Sequence, residues 1–410
     1  MKVFYVKLIF TIVYFIIIII SERIYNEELF NLSVEIISNF QEFSKSFRRF
    51  WVYISYFGIK PVLGPILFVL FLFIPLNKVY SLIFLLLLTG FVDHALKVIY
   101  IQERPVWLNV EINPGNNHAC GYGNPSGHAL TSTCLYLSIW YISCQLFDTK
   151  IKKEITRNIL KYLLLSVCIV LFLLIMISRV FLGVHSLNQI IYGSSLGFGI
   201  FLLFMPTLQM YQSSGTEFLN NKYTKRYQHS LLLILSSIIF YLFFFFQNDI
   251  EGIRQKPNFV KMCLKQNKNR ILKNASITGG TALFIILGMN VGLYFTKAKI
   301  DDEFNEEEII DWHKWPLSTR LIRLLFFIIG FMPVGVFFML YYSLKISMIF
   351  YCILAPILFF IGGFTTFGLC FFYGYKCTKI KFKDYEIHSL ETNDDMKNTE
   401  VDYSNEILKN

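Results

Sequence analysis

The apolar residues of this chain fall in blocks of about twenty, and that spacing limits its possible folds more than any other feature. A helix crossing a bilayer needs ~20 predominantly apolar residues, and inside lipid its backbone polar groups must be satisfied within the protein. Such blocks run roughly over 55–76, 81–100, 128–147, 159–178, 187–206, 229–247, 275–295, 320–343 and 347–373, with another at the amino end. The pattern predicts an all-α, polytopic transmembrane helical bundle of about nine to ten spans. Charged residues make up 16% of the 410 positions, well under the roughly 25% of soluble domains. The formal charge of +10 sits mostly in loops, where it bears on topology. No basic motif interleaved with stacking aromatics lies outside the apolar blocks, which argues against a nucleic-acid partner.

The first block, residues 1–20, is broken only by Lys7 and Thr11 and suits a signal peptide or a signal anchor. The sequence around Ser21-Glu22-Arg23 makes a poor cleavage site, so the uncleaved anchor is preferred. Residues 21–54 place Leu29, Leu32, Val34, Ile37, Phe40 and Phe43 among polar positions, the spacing of an amphipathic, lumenal segment on the membrane or the bundle. Residues 55–206 then form the core, 207–375 add further spans, and 376–410 read as a polar, disordered cytosolic tail. Cys134, Cys144, Cys168, Cys352 and Cys370 fall in apolar blocks and read as small buried hydrophobes. There is no Cys-x-x-Cys to suggest zinc. Cys120 and Cys263 sit in loops that the span count can put on one side, where a disulfide is open to them.

Three polar motifs interrupt the apolar ladder between Lys97 and Gln189: Lys97 through Arg104-Pro105, then Pro125-Ser126-Gly127-His128, then Ser178-Arg179 with His185 beyond. An even number of crossings separates them, so all three emerge on one membrane face. Their chemistry fits a phosphate ester. Lys97 and Arg104, seven apart, share a stripe if the helix continues, and Arg179 adds a second planar fork for phosphate oxygens. Ser126-Gly127 stands where a helix begins and where backbone N–H groups favour an anion, with Gly127 allowing close approach. Of the two histidines, one can attack phosphorus while the other protonates the leaving oxygen. No carboxylate cluster lies nearby, which implies a metal-free route and no cofactor. Blander readings exist for each residue: Lys97, Arg104 and Arg179 as interfacial anchors, Ser126 as an N-cap, and either histidine as a structural hydrogen-bonder. Asp93 and His94, ionisable within a span, are functional suspects, though Asp93 stands four before Lys97 and suits simple pairing. His118, His229, His313 and His388 match no motif.

Loop charge bears on which face this is. Lys150, Lys152, Lys153 and Arg157, with Lys222, Lys225 and Arg226, put the opposite face in the cytosol, and the motifs then look into a lumen. The basic 248–274 loop and the acidic 301–311 stretch argue the other way.

These residues resemble the signature of the type 2 phosphatidic acid phosphatase and vanadium haloperoxidase superfamily over about residues 90–200. Most lipid phosphatases there have an acid four residues after the last histidine, where this chain has Gln189. In that glutamine, in Arg104-Pro105 followed by Trp107, and in the run Cys120 to Ala129, the chain is similar to glucose-6-phosphatases. The resemblance implies His185 as nucleophile, His128 as proton donor, and Lys97, Arg104, Ser126, Gly127 and Arg179 as phosphate ligands, with Gln189 orienting His185. It further implies a phosphohydrolase of the endoplasmic reticulum with a lumenal site, acting on glucose 6-phosphate. The alternatives are a lipid phosphate phosphatase or phosphotransferase, or, outside enzymes, a transporter or inactive scaffold. An inactive member would be expected to have lost a histidine or a phosphate ligand, and none is missing. The expected partners are a phosphorylated small molecule and membrane lipid.

Overall fold

A computed structural model describes residues 2–58, 60–70, 72–109, 111–113, 120–210, 259, 281–299, 316–336, 348–370, 372–374 and 376. Among these residues all regular structure is helical. In chain order the helices are α1 (Lys2–Phe43), α2 (Arg48–Tyr56), α3 (Lys60–Leu70), α4 (Leu76–Tyr100), α5 (Pro105–Leu108), α6 (Gly127–Lys150), α7 (Glu154–Phe181) and α8 (Leu187–Met210). Then come α9 (Ala282–Lys299), α10 (Leu317–Gly330) and α11 (Met348–Phe364), the last running into a π-helical turn at Thr365–Cys370. Among the described residues, six stretches are long and apolar enough to cross a membrane: Ile9–Phe43, Asn77–Leu108, Glu154–Phe181, Leu187–Phe204, Leu317–Val336 and Leu354–Gly374. The chain is an integral membrane protein.

Helix α6 is predicted as a span yet is absent from those six, because its hydropathy is diluted by Thr131, Ser132, Thr133 and Ser138. It can carry these hydroxyls because it runs through the middle of the bundle, packed by α4, α7 and α8 rather than by lipid. Ala129 through Ser138 are all buried. Ser132 Oγ donates to the His128 carbonyl and Ser138 Oγ to that of Cys134, each at 2.6 Å, so these two serine hydroxyls are satisfied without water. Close packing against α8 depends on two glycines four apart, hence on one helix face. A Cβ on Gly193 would meet the Ser126 carbonyl oxygen at 2.6 Å, and one on Gly197 would meet the Leu130 carbonyl. Such small-residue faces let membrane helices approach backbone to backbone. The start of α6 is thereby pinned to α8.

Two boundaries differ from those expected. Residues 1–20 and 21–54 do not separate at residue 20: α1 is one helix to Phe43, about 63 Å long at ~1.5 Å per residue. Its first half exposes Ile9, Phe10, Ile12, Val13, Ile16 and Ile17, whereas farther on it buries Glu22, Ser33 and Ile37. The second half therefore packs into the bundle and does not lie flat on a membrane surface. The block at 55–76 is likewise no single span: it takes in the last two residues of α2, then the short helix α3, and then a turn in which Phe73 N–H donates to the Leu70 carbonyl. The expected spans at 275–295, 320–343 and 347–373 correspond to α9, α10 and α11. The expected span at 229–247, the acidic 301–311 stretch, the polar tail from 377 and all but Phe259 of the 248–274 loop lie outside the described residues.

Candidate active site

The sequence put Lys97 and Arg104 on one stripe if their helix continued, and it does not. Helix α4 ends at Tyr100, and Ile101 turns the chain with a left-handed φ of 48°. Pro105 opens α5, and Arg104 before it is extended at φ −103° and ψ 146°, the conformation proline imposes on its predecessor. The guanidinium is thereby turned inward. Its Nε donates to the Gly121 carbonyl at 2.5 Å, Nη1 to Val184 at 2.7 Å and Nη2 to Tyr122 at 3.0 Å. Nη1 also lies 3.1 Å from His185 Nε2. The α5 backbone joins the same loop, with Val106 N–H donating to the Gly183 carbonyl at 3.0 Å. Gly183 takes φ 67°, which glycine adopts without steric cost.

His185 sits in the turn between α7 and α8, 2% exposed. Its Nδ1 is 3.1 Å from Gln189 Oε1. The amide cannot be reversed, because Gln189 Nε2 donates to the Glu103 carbonyl at 2.8 Å, an acceptor only, and Oε1 accepts from the Ser186 backbone N–H at 3.3 Å, a donor only. Oε1 must therefore accept from Nδ1–H, which leaves the Nε2 lone pair facing Arg104. Burial first, and then the positive charge of Arg104, Arg179, Lys97 and His128, hold the His185 pKa well below its ordinary 6.5. The imidazole is thus neutral with a fixed tautomer, and its Nε2 lone pair meets Arg104 Nη1, the protonation state in which an imidazole can act as a nucleophile. Of the four residues whose charge acts on it, Lys97, Arg104 and His128 come from the other two motifs and Arg179 from its own.

Ser126 is the residue before α6, yet its side chain makes no capping hydrogen bond. Its Oγ is fully buried without a hydrogen-bond partner, as is Arg179 Nε. Buried polar atoms are rarely left unpaired, and here both belong to residues expected to hold phosphate. Arg179 Nη1 donates to Ser55 Oγ at 2.5 Å. Lys97 Nζ pairs with Asp93 at 2.8 Å, and the Asp93 carboxylate lies against Gly127, so that a Cβ on Gly127 would sit 2.7 Å from Asp93 Cγ. His128, half-buried on the first turn of α6, faces Gly58, where a Cβ would come within 3.1 Å of the imidazole. Cys120 is disulfide-bonded, while Cys263 lies outside the described residues. Cys134, Cys144, Cys168 and Cys370 are free; Cys134 and Cys168 are buried and the other two half-buried.

Sequence reasoning missed how much of this frame α1 supplies. Ser33 Oγ accepts from the Leu187 N–H at 2.8 Å, filling one of the unsatisfied donors at the start of α8. Gln41 Nε2 donates to the Phe181 carbonyl at 2.7 Å. Asn188 Nδ2 reaches Asn26 at 2.8 Å and Glu22 at 3.4 Å. Gln102, which accepts from Gln189 Nε2 at 3.1 Å, is bonded to Asn26 in turn. Both ends of the turn carrying His185 are therefore braced by one helix. A buried glutamate beside an apolar block, Glu22, was the available signal. Ser55 had none.

Residues 78–213 match the PAP2 superfamily. That PAP2 segment contains Lys97, Arg104, Ser126, Gly127, His128, Arg179, His185 and Gln189, and encloses the stretch over which the sequence resemblance runs. Ser55 and all of α1 lie outside it. Among solved structures, a transmembrane PAP2-type phosphatidylglycerolphosphate phosphatase from Bacillus subtilis is similar at 20% identity and a TM-score of 0.37, covering 50% of this chain and 96% of that one. No curated protein matches the chain. PAP2 phosphatases hydrolyse phosphate esters, which is the chemistry the convergent residues suit.

Proposed function

We propose that the PAP2 segment hydrolyses phosphate monoesters through a covalent phosphohistidine on His185. The observation that supports this most is the Gln189–His185 pair, which fixes Nδ1–H and leaves the Nε2 lone pair facing the Arg104 guanidinium. A phosphoryl group seated there takes charge from Lys97, Arg104 and Arg179 and hydrogen bonds from Ser126 Oγ and Arg179 Nε, both buried without a hydrogen-bond partner. Arg104 Nη1 moves its hydrogen bond from His185 Nε2 to a phosphoryl oxygen. Nε2 then attacks phosphorus in line, the phosphorus–oxygen ester bond breaks, and His128 gives its proton to the departing oxygen. In the second half His128 takes a proton from water, the resulting hydroxide attacks phosphorus, and the phosphorus–nitrogen bond breaks. Inorganic phosphate and the starting enzyme result.

Glucose 6-phosphate is proposed as the substrate, on the strength of Gln189, Trp107 and the run from Cys120 to Ala129. The site is proposed to face the lumen of the endoplasmic reticulum. The basic turn with Lys150, Lys152, Lys153 and Arg157 is at the far end of α6 from His128, where the positive-inside rule puts the cytosol. The disulfide at Cys120 suits an oxidising compartment.

The test is phosphate release by purified protein from glucose 6-phosphate, other sugar phosphates, lipid phosphates and an aryl phosphate. His185→Ala should abolish release and any acid-labile phosphoenzyme. His128→Ala should still form phosphoenzyme from the aryl phosphate, whose phenolate leaves without a proton, and should then retain it. Release from lipid phosphates alone would overturn the sugar substrate. Phosphoenzyme in His185→Ala but not in His128→Ala would reverse the two roles.

A further inference from the structure

The Asp93 carboxylate stands among the phosphate ligands. It is 4% exposed. Both its oxygens face Lys97 Nζ, at 2.8 and 3.1 Å, and His94 Nε2 is 3.8 Å away. It also rests against Gly127, the first residue of α6, so closely that no side chain could be added there without pushing it out. Close approach of an anion to Gly127 is what the motif predicts, and the anion found there belongs to the protein itself.

An i, i+4 pair that served only to neutralise Lys97 would need no contact with α6. Here the carboxylate bridges two residues from separate motifs, one on α4 and one on α6. Its charge is also felt at Arg104. Lys97, Arg104, Arg179 and the protonated His128 give the site four positive charges, His185 being neutral, and Asp93 reduces the sum to three before a phosphate monoester dianion enters.

We propose that Asp93 is an internal anion that holds the phosphate cradle assembled when it is empty and competes with phosphate for Lys97 when it is filled. This rests on the phosphatase reading above. Asp93 is then a residue that sets affinity, keeping the binding of substrate and of product phosphate weak enough for release. Like charges brought to within a few ångströms in a partly buried site repel strongly, so relief of that repulsion should be large.

The experiment measures binding of inorganic phosphate and of orthovanadate to purified protein, together with KM and kcat, for wild type and Asp93→Asn. Asparagine keeps the shape and an oxygen for Lys97 while removing the charge. The Kd for both anions and the KM should fall by roughly tenfold or more, while kcat does not rise, because product leaves more slowly. If Asp93 only positions Lys97, the same substitution raises Kd and KM, and the proposal is overturned. Asp93→Ser, smaller and also uncharged, should move affinity in the same direction and serves if asparagine impairs folding. Wild-type protein that binds neither anion would sink the phosphatase reading and this inference with it. Phosphate bound by wild type but more weakly by both variants would sink this inference alone.

Discussion

Replacing Gln189 with glutamate restores the acid that most lipid phosphatases have at that position, and here it should impair the enzyme. In the present site the amide has two functions. Its oxygen accepts from His185 Nδ1–H, while its nitrogen donates to the Glu103 carbonyl at 2.8 Å and to Gln102 Oε1 at 3.1 Å. Gln189→Glu keeps the first and makes it charge-assisted, a gain of about 1 kcal/mol. It loses both donors, at about 1 kcal/mol each, and sets an anionic oxygen against a carbonyl that cannot turn to donate, at about 1 kcal/mol or more. Gln102 could reverse its amide to donate, but its nitrogen would then no longer reach Asn26. The net cost is about 2 kcal/mol, relieved by drawing the side chain away from Glu103 and hence from His185. Expressed at the transition state, that is about 30-fold in kcat/KM. The assay is steady-state release of p-nitrophenol from its phosphate, with thermal unfolding in detergent to confirm the fold. Gln189→Glu as active as wild type at neutral pH would refute the reasoning, since it would mean that the Glu103 and Gln102 contacts do not hold the amide in place.

Other substitutions and conditions probe the same frame. His185 has a folded pKa well below 6.5, so it stays neutral in the folded protein at pH values where the unfolded chain binds a proton. Its contribution to stability is therefore complete above about pH 6.5 and is lost as pH falls from there toward the folded value; thermal unfolding across pH 5–8 checks the sign, and the acid limb of kcat/KM should likewise lie below 6.5. Gly193→Ala puts a Cβ into the Ser126 carbonyl and should cost about 1–3 kcal/mol of stability, with a fall in kcat/KM as the start of α6 shifts. Gly64→Ala meets nothing within 4 Å and should leave both unchanged or gain up to about 1 kcal/mol of stability. Orthovanadate should inhibit, because a five-coordinate oxyanion resembles the attacked phosphorus, whereas EDTA should not; loss of activity in EDTA that Mg²⁺ restores would refute the metal-free route.

The site was legible where a residue's chemistry repeats at fixed spacing, and illegible where its partner lies far off in the chain. Lys97, Arg104, His128, Arg179 and His185 stand out because charges and imidazoles are costly near a membrane interior, so each demands a reason. The parity of crossings then puts them on one face before any coordinates exist. The turn at Ile101 could not be read the same way. A non-glycine residue with positive φ leaves no compositional mark, and without it Lys97 and Arg104 look like neighbours on one stripe. Proline at 105 was a partial signal, since it forces Arg104 out of a helix.

The role of α1 was hidden for a different reason. Hydropathy registers its first half as an anchor and its second half as amphipathic, each from local spacing alone. What they omit is the partner of the polar stripe. Ser33, Gln41, Asn26 and Glu22 are ordinary helix residues until they meet the backbone at Leu187 and Phe181 and the side chain of Asn188. Those meetings span up to 166 positions of sequence. They also explain why a turn of only five residues between α7 and α8 can hold a buried histidine still. A short loop would satisfy few of its own polar groups, and the brace supplies acceptors and donors on either side of His185. Positioning within about half an ångström is what attack on phosphorus requires. The precision of the site in this chain is thus built in part by a helix outside the segment that matches the PAP2 superfamily.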